Sequence, residues 1–209
     1  MNFFFRTFLI LALVFLLGCK NNKQVSEPNI KDEDIDALMI QAYKEGLKEL
    51  ENGYGVLAAK KFNEAEILYP QSVWAPRSSL MAAYSYYSQD YYGDAIFELK
   101  RFLKNYPSND NYPYAYFLLA TCYYETIKDE KKDLSSLLES KKYFKIVIDE
   151  YPNTDFSLDA KFKLALINSI LASKELYIGK YYLSQKKWIP AMNRFKNIIT
   201  DYENTEYVE

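Results

Sequence analysis

Residues 58–70 read AAKKFNEAEILYP, and the spacing inside this stretch decides the fold. Ala58, Phe62 and Ala65 are separated by four and three residues, which places them on one face of a helix. Pro70 then ends that helix, and the same offsets of four, three and five residues recur three times further along the chain. The recurrences are Ala95, Leu99, Phe102 and Pro107; Ser140, Phe144, Val147 and Pro152; and Ala191, Phe195, Ile198 and Glu203. Such a repeat predicts stacked helical units, and it favours binding over catalysis.

Glycine and proline divide the rest of the chain into further helical segments joined by short turns. Sustained alternation of apolar and polar residues, which would indicate strands, is missing from the sequence. The segments predicted as helices are 33–52, 55–69, 73–88, 91–106, 112–127, 136–151, 155–184 and 187–203. Short turns make successive helices antiparallel neighbours. We therefore predict an all-α protein, an α-solenoid of about four helix-turn-helix repeats.

The repeats resemble the tetratricopeptide repeat, in which a small residue in the first helix precedes alanine, an aromatic ring, alanine and proline in the second. Gly46 is the small residue of repeat one, twelve positions before Ala58, where a glycine lets two helices cross closely. Residues 128–133 are a charged insertion, which fits either a solvated loop or a docking site. Residues 155–184 read as one long helix that joins repeats three and four. The alternative to a solenoid is an irregular helical bundle.

The start of the chain reads as a targeting segment. Arg6 is the only charge before an apolar stretch at 8–17, which is too short to span a bilayer. Leu16-Leu17-Gly18-Cys19 resembles a bacterial lipobox, so we expect Cys19 to carry a lipid. The alternative is an uncleaved signal with an incidental cysteine. The predicted organisation is a signal peptide over 1–18, a lipidated N-terminus and flexible tether over 19–32, and the repeat domain over 33–209.

The composition excludes several kinds of chemistry. The chain has no histidine, which rules out Ser-His and Cys-His nucleophiles and histidine-bound metals. Glu64 and Glu66 lie on a run that reads as a solvated helix face, and Cys122 lies in an apolar run that predicts a buried thiol. The net charge of −2 gives no sign of a nucleic-acid partner. We therefore expect no enzymatic activity, no cofactor and no metal site.

Aromatic residues are predicted on the inner side of the solenoid, which the first helix of each repeat lines. Counting from the repeat frame places these residues there: Tyr43, Tyr84, Tyr87, Tyr114, Phe117 and Tyr124, together with Leu47 and Arg77. Aromatic rings on a concave wall suit the binding of an extended or apolar peptide. Because the chain contains 21 tyrosines, the alternative is that some of these rings belong to the core.

The order of motifs along the chain resembles the BamD family, lipoproteins of the outer-membrane β-barrel assembly (BAM) complex. The stretches that carry the resemblance are Ile67-Leu68-Tyr69-Pro70, Arg101 to Pro107, Tyr143-Phe144 to Thr154, the long helix with Tyr181-Tyr182, and Trp188 to Arg194. The resemblance implies a scaffold that is anchored by its lipid to the periplasmic face of the outer membrane. It also implies two partners: the POTRA domains of a BamA-like barrel protein, and the C-terminal signals of unfolded outer-membrane proteins.

The resemblance further implies a role for Arg194, which aligns with the family arginine that contacts an acidic residue of BamA. A guanidinium can hold a carboxylate through two parallel hydrogen bonds, so the residue type fits that contact. Asn193 precedes Arg194 in the same motif, and Trp188 is expected to pack beside the contact. The alternative is a solvated arginine on the last helix.

Family members commonly have a fifth repeat, whereas only residues 205–209 follow the fourth repeat in this chain. We therefore expect a partner to cover the apolar side of the last helix near Ile198 and Ile199. A second role also fits the repeat fold, that of another periplasmic adaptor lipoprotein that coordinates envelope growth or division. Such adaptors often carry a coiled coil ahead of the repeats, and no heptad run precedes Ile35, which favours the assembly role.

Overall fold

Eight α-helices make up the part of the chain that the computed structural model describes, residues 32–126 and 134–208. They are α1 (Asp32–Glu51), α2 (Gly55–Leu68), α3 (Ala75–Tyr87), α4 (Tyr92–Asn105), α5 (Tyr112–Glu125), α6 (Ser135–Glu150), α7 (Asp155–Ser184) and α8 (Trp188–Asp201). No strand occurs in these two ranges, which confirms the all-α prediction. Every predicted helix boundary lies within two residues of the observed one. The predicted signal peptide, nearly all of the tether and the insertion at 128–133 lie outside the described residues.

The helices form two layers. From α2 to α8 each helix packs against the next, and further contacts join α3 to α5 and α5 to α7. The odd-numbered helices therefore make the inner layer and the even-numbered helices the outer layer of a tetratricopeptide-like solenoid. Successive core clusters are centred on Phe62, Phe102 and Phe144, and each cluster draws on three consecutive helices. Because neighbouring repeats share each cluster, stability comes from stacking.

Four tyrosines end the second helices of the repeats in one backbone conformation. Tyr69, Tyr106, Tyr151 and Tyr202 have φ between −143° and −121° and ψ between 34° and 77°. A proline follows the first three and disfavours the α conformation before it. Tyr202 adopts the same conformation although Glu203 follows it. Its ring packs against the cluster of α5, α6 and α7, so packing ends this helix where proline does not.

Small residues let the paired helices cross closely, as predicted for Gly46. A Cβ atom added to Gly46 would lie 2.8 Å from Cε1 of Phe62. Gly179 takes the equivalent position in repeat four, where an added Cβ would lie 2.9 Å from Cδ1 of Phe195. Real Cβ contacts are not this short, so a larger residue at either position would push the helices apart.

A polar cluster ties α4 to α2 in the outer layer. The Arg101 guanidinium donates hydrogen bonds of 2.7 and 2.6 Å to the carboxylate of Glu66, and one of 2.8 Å to Glu98. The Tyr106 hydroxyl donates to Glu66 at 2.5 Å, and Asn63 accepts from Arg101 at 3.1 Å. Glu66 is only 5% exposed, so the prediction that it lies on a solvated face is wrong. Stacking of the repeats covers this carboxylate and supplies its cation.

Candidate functional sites

The inner layer contains a cavity between α3 and α5. Each of these helices has a proline in its first turn, and α4 packs against both of them from the outer layer. The cavity is open to solvent on one side and has a volume of about 480 Å³. It is lined by Arg77, Leu80, Met81, Tyr84, Asn111 and Tyr114. A mainly apolar lining with a few polar groups is typical of a ligand-binding site.

Two of the six predicted rings, Tyr84 and Tyr114, line this cavity, and Tyr87 lies beside them. Tyr84 is 38% exposed, and its ring centroid lies 6.4 Å from that of Tyr87. Burial raises the pKa of the Tyr114 hydroxyl well above its ordinary value, and burial also raises the pKa of Tyr87. Both hydroxyls therefore stay protonated in mildly alkaline solution and can donate hydrogen bonds.

Tyr43 occupies a different place from the other predicted rings. It is 6% exposed and packs edge-on against Phe62 and Trp74, with a centroid distance of 5.2 Å in each case. Its ring therefore supports the inner layer from within the core. The Arg77 guanidinium lies over both rings, with Cζ 5.9 Å from the Tyr43 centroid and 5.3 Å from the Trp74 centroid. Sequence reasoning did not single out Trp74, which lies immediately before α3, because its contact with Tyr43 joins residues 31 positions apart.

The last two predicted rings, Phe117 and Tyr124, lie further along α5 and contact α7. Phe156, in the first turn of α7, has its centroid 5.5 Å from Tyr114 and 5.7 Å from Phe117. Lys163 Nζ lies 4.9 Å from the Tyr124 ring centroid. An aromatic surface thus extends from α3 across α5 to α7. We call it the aromatic wall; it comprises Tyr84, Tyr87, Tyr114, Phe117, Tyr124 and Phe156.

Arg194, on α8, is paired with a residue of its own chain. Its Nη1 donates to the Glu175 carboxylate on α7 at 3.0 and 3.3 Å, and Nδ2 of Asn197 donates to the same carboxylate at 3.1 Å. The Arg194 side chain is 38% exposed and that of Glu175 is 18% exposed. Within residues 32–126 and 134–208, Nε and Nη2 of Arg194 make no hydrogen bond. The Nε–Nη2 edge of the guanidinium can therefore donate hydrogen bonds to a second carboxylate.

The outward half of α8 is apolar along one edge. Trp188, Met192 and Ile199 are 64%, 61% and 60% exposed, and their spacing puts them on one face. Asn193 is also exposed and lies between this face and Arg194 around the helix. Ile198 is only 2% exposed, because it shares the buried face of α8. The exposed side of α8 therefore carries an aromatic ring and aliphatic side chains, and it also carries a guanidinium of which only Nη1 is hydrogen-bonded.

Other kinds of site are missing from the described part of the chain. No group of three or more acidic or cysteine side chains could hold a metal ion in residues 32–126 and 134–208. Cys122 is buried, as predicted, and burial raises the pKa of its thiol to about 12, so it is not a nucleophile at neutral pH. No helix in those ranges is long and apolar enough to cross a membrane. Cys19 and its predicted lipid lie outside them.

The helices form pairs with small residues at their crossings, and the pairs stack in two layers. This architecture defines the class of tetratricopeptide-like repeat proteins. A family model described as YfiO, outer membrane lipoprotein, matches residues 35–209. The chain therefore belongs to this family of outer membrane lipoproteins.

Curated relatives named outer membrane protein assembly factor BamD align with most of the chain. The protein of Rickettsia prowazekii is 36% identical over 197 residues, which cover 94% of this chain and 75% of the relative. The protein of Caulobacter vibrioides is 32% identical over 198 residues, or 95% of this chain and 64% of the relative. The protein of Neisseria gonorrhoeae is 28% identical over 191 residues, or 86% and 72%. The family predicted from the motifs is thus confirmed, and the chain spans 64 to 75% of these relatives' lengths.

Proposed function

We propose that the chain is a lipoprotein scaffold of outer-membrane β-barrel assembly, anchored to the periplasmic face of the outer membrane by a lipid on Cys19. The family is described as outer membrane lipoproteins, and the relatives are named assembly factors. The observation that carries the proposal is that one stack of helices presents two surfaces, the half-buried aromatic wall with its exposed Tyr84 and the exposed outward half of α8. A scaffold needs two such surfaces because it holds a client and a partner at the same time.

The outward half of α8 is the proposed surface for a BamA-like barrel protein, bound through its POTRA domains. Arg194 offers its free Nε–Nη2 edge to a partner carboxylate. Trp188, which is 64% exposed, is the apolar anchor, and the Asn193 amide can bind backbone groups of a loop or strand edge. Tryptophan and arginine are the residue types that most often dominate binding energy at interfaces, which supports this assignment.

The aromatic wall is the proposed surface for unfolded outer-membrane proteins, received through their C-terminal signals. Such segments present apolar side chains together with unpaired backbone groups. Tyrosine rings cover apolar side chains, and their hydroxyls bind backbone groups, so one surface can serve both needs. The proposed role is to hold and deliver the client, and it requires no bond making or breaking by the chain.

Affinity purification of the native lipoprotein from membranes tests the partner. Arg194→Glu puts a carboxylate where the partner's acid would bind, and it should weaken capture of a POTRA-bearing barrel protein at least tenfold, because breaking an interfacial charge pair costs about 2–5 kcal/mol. Lys60→Glu is the matched control, since it reverses an exposed charge on α2, away from the proposed surface on α8. Equal capture by the two variants would remove Arg194 from the interface.

The same purification also separates the two candidate roles. Recovery of a POTRA-bearing barrel protein supports the assembly role. Recovery of a different envelope protein, with no such barrel even after mild crosslinking, would reject that role and favour the periplasmic adaptor.

A further inference from the structure

Helix α7 projects beyond α6 and forms a hairpin with α8. α7 has 30 residues, whereas α6, its antiparallel neighbour, has 16. At 1.5 Å per residue, α7 therefore continues about 20 Å past the start of α6. α8 packs along this far half of α7, where Gly179 meets the ring of Phe195. The turn between α7 and α8 thus lies at the tip of a projecting pair of helices.

The end of this hairpin is exposed and partly apolar. Every residue from 183 to 190 is exposed, in a stretch that reads LSQKKWIP. Tyr181, Leu183 and Ile189 are 56%, 42% and 68% exposed. Apolar side chains grouped on an exposed surface indicate an interaction site, and Trp188 lies where this surface meets the proposed partner surface of α8. We call the surface the hairpin tip; it comprises Lys180, Tyr181, Leu183, Lys186, Lys187 and Ile189.

The same part of the chain is basic. Residues 176–200 contain five basic residues and no acidic one, whereas the whole chain has a net charge of −2. Lys180, Lys186 and Lys187 are all exposed. None of the three forms an ion pair in the part of the chain that the structure describes. The hairpin tip therefore presents unpaired positive charges beside its apolar side chains.

This combination fits a lipid surface better than a protein surface. Tyrosine rings are enriched at the membrane–water interface, and a lysine stem can lie along apolar surface while its ammonium reaches the lipid phosphates. At protein–protein interfaces, in contrast, lysine is depleted and arginine is enriched. The basic side chains of the hairpin tip are all lysines, whereas Arg194 lies on the proposed partner surface. The two neighbouring surfaces thus differ in the chemistry that they can recognise.

We propose that the hairpin tip docks on a bilayer that contains anionic lipid, with its lysines facing the lipid phosphates and its apolar side chains in the headgroup layer. The inference rests on the proposed location at the outer membrane, and it adds a second membrane contact besides the lipid on Cys19. Juxtamembrane lysines are attracted to anionic lipid in this way. Two contacts hold the helical stack in one orientation to the membrane, whereas the predicted flexible tether alone would not.

A fluorescent label at the hairpin tip tests the proposal in the full-length lipoprotein. Leu183→Cys carries an environment-sensitive dye; Cys122 does not react with the dye because it is buried and the pKa of its thiol is raised to about 12. The lipoprotein is held in nanodiscs of phosphatidylcholine alone, or of equal parts phosphatidylcholine and phosphatidylglycerol, and each disc includes a nitroxide lipid that quenches the dye on contact. Contact should be at least about fivefold stronger on the anionic discs, because each lysine near an anionic surface strengthens binding by roughly that factor.

Charge reversal identifies the residues responsible. Lys186→Glu together with Lys187→Glu, in the protein labelled at position 183, should reduce quenching on anionic discs to the level on uncharged discs. The matched control is Lys60→Glu together with Lys104→Glu, which reverses two exposed lysines on α2 and α4 and should leave the quenching unchanged. Circular dichroism of each variant checks that the helical stack is intact.

A second label position shows whether quenching is specific to the hairpin tip. Leu57 is 49% exposed on α2, and the same dye on Leu57→Cys should stay unquenched on both kinds of disc. Equal quenching of the label at position 183 on the two kinds of disc, or none on either, would overturn the proposal. So would a label that is shielded only after a POTRA-bearing protein is added and is not quenched by the lipid, because the tip would then contact that protein.

The same measurement separates this inference from the proposed function. Loss of the lipoprotein from both kinds of disc would reject the proposed anchor on Cys19, and this inference with it. If the discs retain the lipoprotein while the label at position 183 stays unquenched, the anchor stands and only the contact at the hairpin tip is rejected.

Discussion

At the scale of single residues, Glu175 determines how the Arg194 guanidinium is presented. This carboxylate accepts hydrogen bonds from Arg194 and from Asn197, one turn further along α8, and it is largely shielded from solvent. It holds Nη1 and leaves the opposite edge of the guanidinium outward. Sequence patterns could not identify this pair, because the two residues lie on different helices. Their register depends on where the helices cross, at Gly179 and Phe195.

We therefore expect Glu175→Gln to weaken capture of a POTRA-bearing barrel protein while Arg194 itself is unchanged. The amide can still accept one hydrogen bond but loses the charge, so the Arg194 side chain becomes less ordered. It then loses more conformational entropy when the partner binds. The expected loss is roughly threefold to tenfold, smaller than that of Arg194→Glu. Titration with isolated POTRA domains measures it, and Glu203→Gln is the control carboxylate. Tighter binding would contradict this account, since it would mean that Glu175 competes with the partner.

At the scale of helices and turns, three turns within repeats use a left-handed residue two positions before the second helix. Gly53, Asp90 and Lys186 have φ of 81°, 62° and 57°, and they precede α2, α4 and α8. Glycine and aspartate tolerate this conformation, whereas lysine is strained by its Cβ. The helices could be predicted almost to the residue, because proline and glycine mark their ends. The conformation at Lys186 could not, because its residue type gives no sign of it.

Lys186→Gly should stabilise the protein by about 0.5–1 kcal/mol, because glycine removes the left-handed strain while giving up part of the gain to unfolded-state entropy. Urea unfolding followed by circular dichroism measures the change. Lys187→Gly is the matched control: this neighbour has φ of −92°, so glycine relieves nothing there and should be neutral or destabilising. Destabilisation by Lys186→Gly would mean that the lysine side chain has a role in the turn that outweighs its strain.

At the scale of the whole stack, repeat one and repeat four differ in the side chains that their outer faces expose. On repeat one, Lys61 bridges Glu45 and Glu64 at 2.8 and 2.9 Å, and Leu57 and Ile67 of α2 are exposed beside these charges. On repeat four, the outer face of α8 exposes Trp188 and Met192. A charged face stays in water, whereas an apolar face gains from being covered. The aromatic and aliphatic side chains that α8 exposes beside the Arg194 guanidinium support assigning the partner to α8.

The repeat frame predicts the layer of a residue but not its contacts between repeats. It assigns Tyr84, Tyr114 and Phe117 to the inner layer because their spacing follows the helix period. It misses that Trp74 covers Tyr43 and that α7 contributes Phe156, since these contacts join segments far apart in the sequence. Their geometry depends on the angle between neighbouring repeats, which no local pattern encodes. The candidate site is therefore predictable as a surface, while its ligand geometry is not.

Arg101 joins repeats one and two, and its loss should uncouple them. Arg101→Met leaves the Glu66 and Glu98 carboxylates, 5% and 7% exposed, without a cation, which should cost about 3–5 kcal/mol. Adding Glu66→Gln and Glu98→Gln should recover much of that loss, because neutral amides can still bond to Asn63 and Tyr106. In Arg101→Met, hydrogen exchange should lose protection first in α1 and α2, since this polar cluster and the packing on α3 are what hold these helices to the rest of the stack. Equal loss of protection in all helices would show instead that the stack unfolds as one cooperative unit.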